Sequence, residues 1–190
     1  LLDVLSVLFV FLIARRLYGD WAGLLAAALS TFAVLHIQLA HFFAVDPVST
    51  TFTLMTVWAS LKMYYERTAG SALLAGLAIG LAVSSKYSAL PVVLVPATAA
   101  LLMFLRPTPA AEEAEEPHFT VATYLLIIAA VASFLTFALT SPFVLLDFEN
   151  FETAVLEEQG NMVRGLVDFP FTRQYRNTTP YLYFIQEQIQ

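Results

Sequence analysis

Long apolar blocks without a charged residue constrain this chain more than any other feature. Four of these blocks cover residues 22–35, 72–83, 89–105 and 121–139. About 20 helical residues cross the hydrocarbon core of a bilayer, and about 17 can suffice. Hydrophobic residues make up 59% of the chain and charged residues only 13%, which is hard to reconcile with a globular surface. The sequence therefore predicts an α-helical integral membrane protein and argues against a soluble fold.

The apolar blocks divide residues 1–140 into a polytopic transmembrane helix bundle of about six spans, so the predicted fold class is all-α. The approximate spans are 2–17, 21–40, 47–65, 71–85, 89–105 and 120–140. Residues 71–105 also allow one long kinked helix, although a helix of that length is disfavoured. Residues 141–190 contain no spanning block and are predicted to form an external loop segment.

Small residues recur every four positions in the fourth predicted span, at Ala72, Gly76 and Gly80. A stripe of this kind lets a neighbouring helix approach closely. Chance placement in an Ala-rich helix is an equally good explanation.

Basic residues in short loops predict which side of the membrane each span end faces, since such residues tend to remain cytoplasmic. The basic residues at the ends of the first, third and fifth predicted spans are Arg15, Arg16, Lys62, Arg67 and Arg106. All of them fall on one side of the predicted topology. We assign that side, with the Pro- and Glu-containing linker 106–118, to the cytoplasm. The junction 41–46, the turn at Lys86 and the segment from Ser141 onward then face the extracytoplasmic side.

Asp46 opens the third predicted span and is followed directly by Pro47. An acid before a helical proline is typical of an N-cap, and capping alone explains Asp46 as well as a binding role does. His41 lies five residues earlier, and as a single histidine it fits a packed or interfacial residue better than a ligand.

Lys86 is the only basic residue between Gly70 and Leu105. A lysine beside the aromatic Tyr87 fits a side chain that extends to the membrane interface. Its position against the positive-inside bias favours a second explanation, in which the ammonium neutralises a lipid phosphate at headgroup depth.

The segment 141–190 mixes aromatic residues with arginines, including Arg173 and Tyr175. Arginine binds phosphate through two parallel hydrogen bonds, whereas the aromatic residues alone suit docking at the interface. We therefore treat Arg173 and Tyr175 as candidate substrate-binding residues.

The order and spacing of four stretches resemble the GT-C membrane glycosyltransferases. These stretches are ARRLYGDWAGLLAAAL, HFFAVDPVSTTFTL, LLAGLAIGLAVSSKYSAL and DFPFTRQYRNTTPYLY. The resemblance is to the branch that holds dolichyl-phosphate-mannose protein mannosyltransferases and bacterial aminoarabinose transferases. It covers nearly the whole chain.

The resemblance implies an enzyme that moves a sugar from a polyprenyl-phosphate carrier to a protein, lipid or glycan acceptor at the extracytoplasmic face of a bacterial or archaeal plasma membrane. By position, Asp46 matches the acid after the family's third span, and Lys86 matches a basic position that meets the carrier phosphate. His41 and Tyr87 flank these residues as further substrate-binding candidates. The family's catalytic acid lies in an external loop that would precede Leu1, so the catalytic residue is unknown here and the chain reads as a fragment, inactive alone.

Other functions find less support in the sequence. The net charge of −6 disfavours a nucleic-acid partner, and no Cys, zinc-type His pair or phosphate-binding glycine loop is present. No metal ligands are predicted, and a divalent metal requirement stays open; the lipid-linked sugar is the expected co-substrate. A membrane transporter and a non-catalytic assembly subunit remain the alternatives. A transporter would place charged groups near the membrane midplane, whereas here they lie mainly at span ends.

Overall fold

The computed structural model describes residues 2–34, 37–38, 45–105, 118–158, 160–161, 164, 166 and 182. The chain divides into two compact units, Leu1–Pro142 and Phe143–Gln190. The boundary falls next to the predicted start of the external segment at residue 141. No strand occurs in the part of the chain that the structure describes, so the predicted all-α class is confirmed there.

In the first unit, six α-helices and one 3-10 helix lie wholly within the described residues, and residues 34, 37 and 38 are helical as well. The α-helices are α1 Leu2–Tyr18, α2 Asp20–Thr31, α3 Val45–Glu66, α4 Ala69–Ser85, α5 Leu94–Leu105 and α6 His118–Thr140. The 3-10 helix, Tyr87–Val93, precedes α5 directly. Each of the six predicted spans overlaps one of these helical segments, although the second does so only in part.

Helices α1 and α2 form a hairpin around Gly19, whose φ of 93° lies in the left-handed region that favours glycine. The Arg15 Nε donates to Asp20 Oδ1 across this turn at 2.6 Å. Helix α2 ends at Thr31, and Phe32 is in a turn. The second predicted span, 21–40, is therefore helical without interruption only to residue 31. Residues 35–36 and 39–44 lie outside the described part.

Helices α1 and α3 run in the same direction, which the order of their contacts shows. The hydroxyls of Ser6 and Thr51 lie 2.7 Å apart, and the rings of Phe9 and Trp58 are 5.6 Å apart at their centroids. Further along, the guanidinium of Arg16 lies 4.4 Å from the ring centroid of Tyr65. The carboxyl ends of α1 and α3 therefore lie at the same end of the bundle.

A two-residue turn reverses the chain between α3 and α4. Arg67 adopts a left-handed φ of 52°, and the hydroxyl of Thr68 accepts a hydrogen bond from the Ser71 backbone N–H at 3.3 Å. Because Thr68 is the N-cap of α4, it satisfies one of the backbone donors that a helix start leaves open. Helix α4 consequently returns antiparallel to α3.

Helix α4 is the most buried element of the first unit, because small residues on it meet α6 at close range. A Cβ built on Gly76 would lie 2.3 Å from the Ala129 carbonyl oxygen, and one on Gly80 would lie 2.5 Å from the Thr136 Cβ. The predicted close helix approach along this stripe is confirmed, and its partner is α6. The residue numbers of the contacting partners increase together along both helices, from Gly76 and Ala129 to Ser84 and Thr140. Helices α4 and α6 are therefore parallel.

The chain between α4 and α5 is not one kinked helix. Lys86 has extended backbone angles, with φ −158° and ψ 116°, and Pro91 lies inside the 3-10 helix that follows. Since proline cannot donate the backbone hydrogen bond that an α-helix requires, a tighter turn replaces the α-helix here. Residues 71–105 therefore form two separate helical segments, as the sequence favoured.

Two described segments are long and apolar enough to cross a membrane, Tyr87–Leu105 and Phe119–Thr140. Ala69–Ser85 is apolar but shorter. Only 22% of the apolar window in each long segment is buried within the protein, so most of its apolar surface faces outward, as expected for a helix in lipid. The other predicted spans stay predictions as membrane crossings.

The second unit begins with α7 Phe143–Leu146 and α8 Phe148–Glu152, followed by a π-helical segment, Thr153–Glu158. The Asp147 carboxylate accepts hydrogen bonds from the Asn150 side-chain amide at 2.9 and 3.0 Å. The side chains of Phe148 and Phe151 pack with 6.0 Å between ring centroids.

Candidate functional site

The direction of the helices determines which charged side chains meet. Because α3 and α4 are antiparallel and joined by a short turn, the start of α3 and the end of α4 lie at the same end of the bundle. Asp46 is in the first turn of α3, and Lys86 caps the end of α4. Arg16 and Lys62, near the carboxyl ends of α1 and α3, lie toward the opposite end.

Asp46 and Lys86 form a direct ion pair although they are 40 residues apart in sequence. The Lys86 Nζ donates to Asp46 Oδ1 at 2.5 Å. The side chains are 44% and 47% exposed for Lys86 and Asp46, so solvent or a ligand can reach both. Each charge also lies at the helix end that suits it, an acid at an amino end and a base at a carboxyl end.

The Lys86 backbone is held by hydrogen bonds on both sides. Its N–H donates to the Ala82 carbonyl at 3.0 Å, and its own carbonyl accepts from the Ala89 N–H at 2.9 Å. The hydroxyls of Ser84 and Thr140 are 2.6 Å apart and link the ends of α4 and α6. These bonds fix the origin of the lysine side chain while its ammonium stays accessible.

Tyr87 packs against the bundle beside Lys86. Its ring meets the Phe137 ring edge to face, with 6.3 Å between centroids. The residue as a whole is 40% exposed. Tyr87 is therefore a neighbour of the ion pair that combines a packed aromatic body with an accessible edge.

Asp46 is anchored through the first turns of α3. Helix α3 begins at Val45, so Asp46 lies inside the first turn rather than before it, and Pro47 is the third helical residue. One turn later the Thr51 hydroxyl lies 3.0 Å from the Leu2 carbonyl and 2.8 Å from the Pro47 carbonyl. Among the described residues, the partner of the Asp46 carboxylate is Lys86 rather than a backbone N–H.

The arrangement can bind an anion by exchange. An incoming phosphate oxygen would replace the Asp46 carboxylate on the Lys86 ammonium, which has three N–H donors. The same residues offer no evident metal centre, since no group of three or more potential ligands is clustered among the described residues.

The sequence predicted that Asp46 and Lys86 share a face but did not predict their contact. Tyr87 lies beside them, as sequence proximity requires. His41, Arg173 and Tyr175 lie outside the described residues. The sequence analysis did not identify the hydroxyls of Ser84 and Thr140, which link α4 to α6. The signal in the sequence was a polar residue at the carboxyl end of each of these two apolar helices.

Comparisons with known proteins give one family. No curated protein and no solved structure matches the chain. The family model described as dolichyl-phosphate-mannose-protein mannosyltransferase matches residues 1–137, a range that covers most of the first unit and includes both members of the ion pair. By this match, the chain belongs to the dolichyl-phosphate-mannose-protein mannosyltransferase family, a family of membrane glycosyltransferases.

Proposed function

We propose that the chain is part of a glycosyltransferase that transfers a sugar from a polyprenyl-phosphate carrier to an acceptor at the extracytoplasmic side of the membrane. The Lys86–Asp46 ion pair carries the proposal, because it holds an accessible ammonium group at one end of a helical bundle of this family. The acceptor is a protein, a lipid or a glycan, and the membrane is a bacterial or archaeal plasma membrane.

The role of Lys86 follows from the charges of the donor and the leaving group. A polyprenyl-phosphate sugar is a phosphodiester with one negative charge. The acceptor hydroxyl or amine loses its proton to a general base, which the family resemblance places in an external loop, and attacks the anomeric carbon. The bond from that carbon to the phosphate oxygen then breaks, and both bonding electrons stay on the phosphate.

The leaving phosphate thus gains a second negative charge in the transition state. The Lys86 ammonium interacts more strongly with that charge than with the donor, and only such a difference accelerates the reaction. Lys86 is therefore proposed to raise kcat more than it lowers KM. His41, Tyr87, Arg173 and Tyr175 are proposed to line the same substrate site.

The test compares Lys86→Met with Lys86→Arg in the full-length protein reconstituted with a labelled polyprenyl-phosphate sugar. Methionine keeps most of the side-chain stem and removes the charge, whereas arginine keeps the charge. We expect kcat to fall on the order of 100-fold for Lys86→Met, the size seen when one donor to a developing anion is removed. Lys86→Arg should retain a larger share of the activity.

Thermal unfolding of both variants checks that they remain folded. A folded Lys86→Met protein with unchanged kcat contradicts the proposed role. Solute flux in liposomes without glycosyl transfer would favour the transporter. The absence of both activities would favour the assembly subunit.

A further inference from the structure

A cavity lined in part by charged side chains lies at the end of the bundle opposite the Lys86–Asp46 pair. Its volume is about 490 Å³. The cavity is open to the outside and is bordered by the carboxyl end of α1, the turn to α2 and the carboxyl half of α3. Its lining residues are Leu12, Arg15, Arg16, Gly19, Asp20, Trp58, Leu61, Lys62 and Glu66.

The charged groups that line the cavity, which we call the basic cavity, are three cations and two carboxylates. Their formal sum is +1, from +3 for Arg15, Arg16 and Lys62 and −2 for Asp20 and Glu66. This local balance contrasts with the net charge of −6 for the whole chain. The basic cavity is therefore suited to an anion.

The three cations are only partly used by contacts within the described residues. Arg15 forms its short contact with Asp20 through Nε alone, which leaves the terminal N–H groups of the guanidinium. Arg16 stacks over the Tyr65 ring and has no carboxylate within ion-pair distance among the described residues. Lys62 Nζ lies 3.6 Å from Glu66 Oε2, a longer pair.

The aromatic side chains beside the basic cavity suit a position at the depth of lipid headgroups. Tyr18 and Trp21 flank the hairpin turn and are 79% and 86% exposed, as is common for aromatic side chains at a membrane interface. Arginine binds phosphate through two parallel N–H groups, and stacking on an aromatic ring leaves the edge of the Arg16 guanidinium open. Phosphate fits this donor set, and it is the anionic group that basic side chains meet at headgroup depth.

We infer that the basic cavity binds a phosphate group, such as the headgroup of an anionic membrane lipid, at the end of the bundle opposite the proposed transferase site. This inference does not depend on the proposed function, since it rests on a separate set of side chains. Asp20 acts within it as an internal competitor, because its carboxylate holds the Arg15 Nε that a phosphate would otherwise use.

The experiment uses the full-length protein in phosphatidylcholine nanodiscs that contain increasing amounts of phosphatidylglycerol. Native mass spectrometry counts the phosphatidylglycerol molecules that remain bound. The parent protein is compared with the double variant Arg16→Gln/Lys62→Gln and with Asp20→Asn. Thermal unfolding of each protein reports its integrity.

Phosphatidylglycerol binding should weaken about fivefold for each cation removed and should strengthen for Asp20→Asn. This opposite sign separates phosphate binding from a structural role, in which loss of Asp20 would weaken retention too. It also keeps the test decisive if the double variant does not fold. Equal retention by the folded proteins, or weaker retention by Asp20→Asn, would overturn the inference.

Inorganic phosphate distinguishes the two sources of the group. Displacement of phosphatidylglycerol by inorganic phosphate, with the same order of variants, supports a soluble phosphate compound as the ligand. Retention of the lipid at high inorganic phosphate, with the same ranking of the variants by affinity, supports the lipid headgroup as the ligand.

Discussion

At the scale of single residues, the ion pair with Asp46 positions the Lys86 ammonium but contributes little to the stability of the fold. Half-exposed ion pairs contribute about 0.2–1 kcal/mol to stability. A loss of that size does not unfold a bundle that is also packed through α4 and α6. A large effect of a Lys86 substitution on transfer would therefore report chemistry.

The Asp46→Asn variant tests whether the carboxylate competes with the substrate phosphate for Lys86. Asparagine keeps the size of the side chain and removes its charge. We expect the donor KM to fall up to about fivefold, because that corresponds to about 1 kcal/mol of ion-pair energy that no longer opposes binding. Steady-state kinetics with the labelled donor measures this KM in the parent and the variant.

The unfolding temperature of Asp46→Asn serves as the control and should stay close to that of the parent. A higher donor KM in a folded protein would show that Asp46 contacts the substrate or orients Lys86, rather than competing for it.

At the scale of the elements, the contact between α4 and α6 depends on the absence of side chains. Gly76 and Gly80 on α4 face backbone or Cβ atoms of α6, which cannot move independently of the helix. The Ser84–Thr140 hydrogen bond then joins the same two helices beside Lys86. Packing in the middle of these helices therefore sets where the candidate site lies.

The Gly76→Ala variant tests this packing. The new Cβ would lie 2.3 Å from the Ala129 carbonyl oxygen and 2.6 Å from the Ala132 Cβ. We expect a loss of about 1–3 kcal/mol in the free energy of unfolding, as for other overpacked sites. The helix-propensity gain of about 1 kcal/mol for alanine over glycine offsets only part of the steric cost, because the contacted oxygen belongs to the α6 backbone.

Gly70→Ala provides the matched control, since a Cβ there would meet nothing within 4 Å. Unfolding in a mild detergent with increasing denaturant compares the two variants. Equal stability of both would show that α4 and α6 do not pack as closely as described.

At the scale of the whole molecule, the bundle has two chemically different ends. One end carries the Lys86–Asp46 pair, and the other carries the basic cavity with Arg15, Arg16 and Lys62. Helix direction alone separates them, since α1 and α3 run one way and α4 returns. From the positive-inside tendency, we expect the end with more basic residues to face the cytoplasm.

Cysteine labelling tests this sidedness, and the chain itself contains no cysteine. Tyr18→Cys and Gly70→Cys place thiols at the end with the basic cavity, whereas Val45→Cys places one beside Asp46. A membrane-impermeant maleimide should label Val45→Cys on intact cells and the other two only in inside-out vesicles.

Labelling of all three thiols from one side would contradict the predicted crossing of the membrane by α3. The reverse pattern would keep the bundle but move the Lys86–Asp46 pair to the cytoplasmic face, which would contradict the proposed location of transfer.

The sequence by itself determined the helical class, the family resemblance and the positions of most helices, because apolar blocks and charged span ends are local properties of the chain. It also indicated that Asp46 and Lys86 lie on one side. The end of α2 at Thr31 was not predictable, since residues 32–40 are as apolar as the helix before them.

Only the tertiary structure decided which residues touch. The 2.5 Å contact of Lys86 with Asp46 and the assembly of the basic cavity both depend on helix direction and rotation. These follow from packing between helices, such as the fit of Gly76 and Gly80 against α6, rather than from any local pattern. Residues distant in sequence become partners only when that packing fixes the rotation of each helix about its axis.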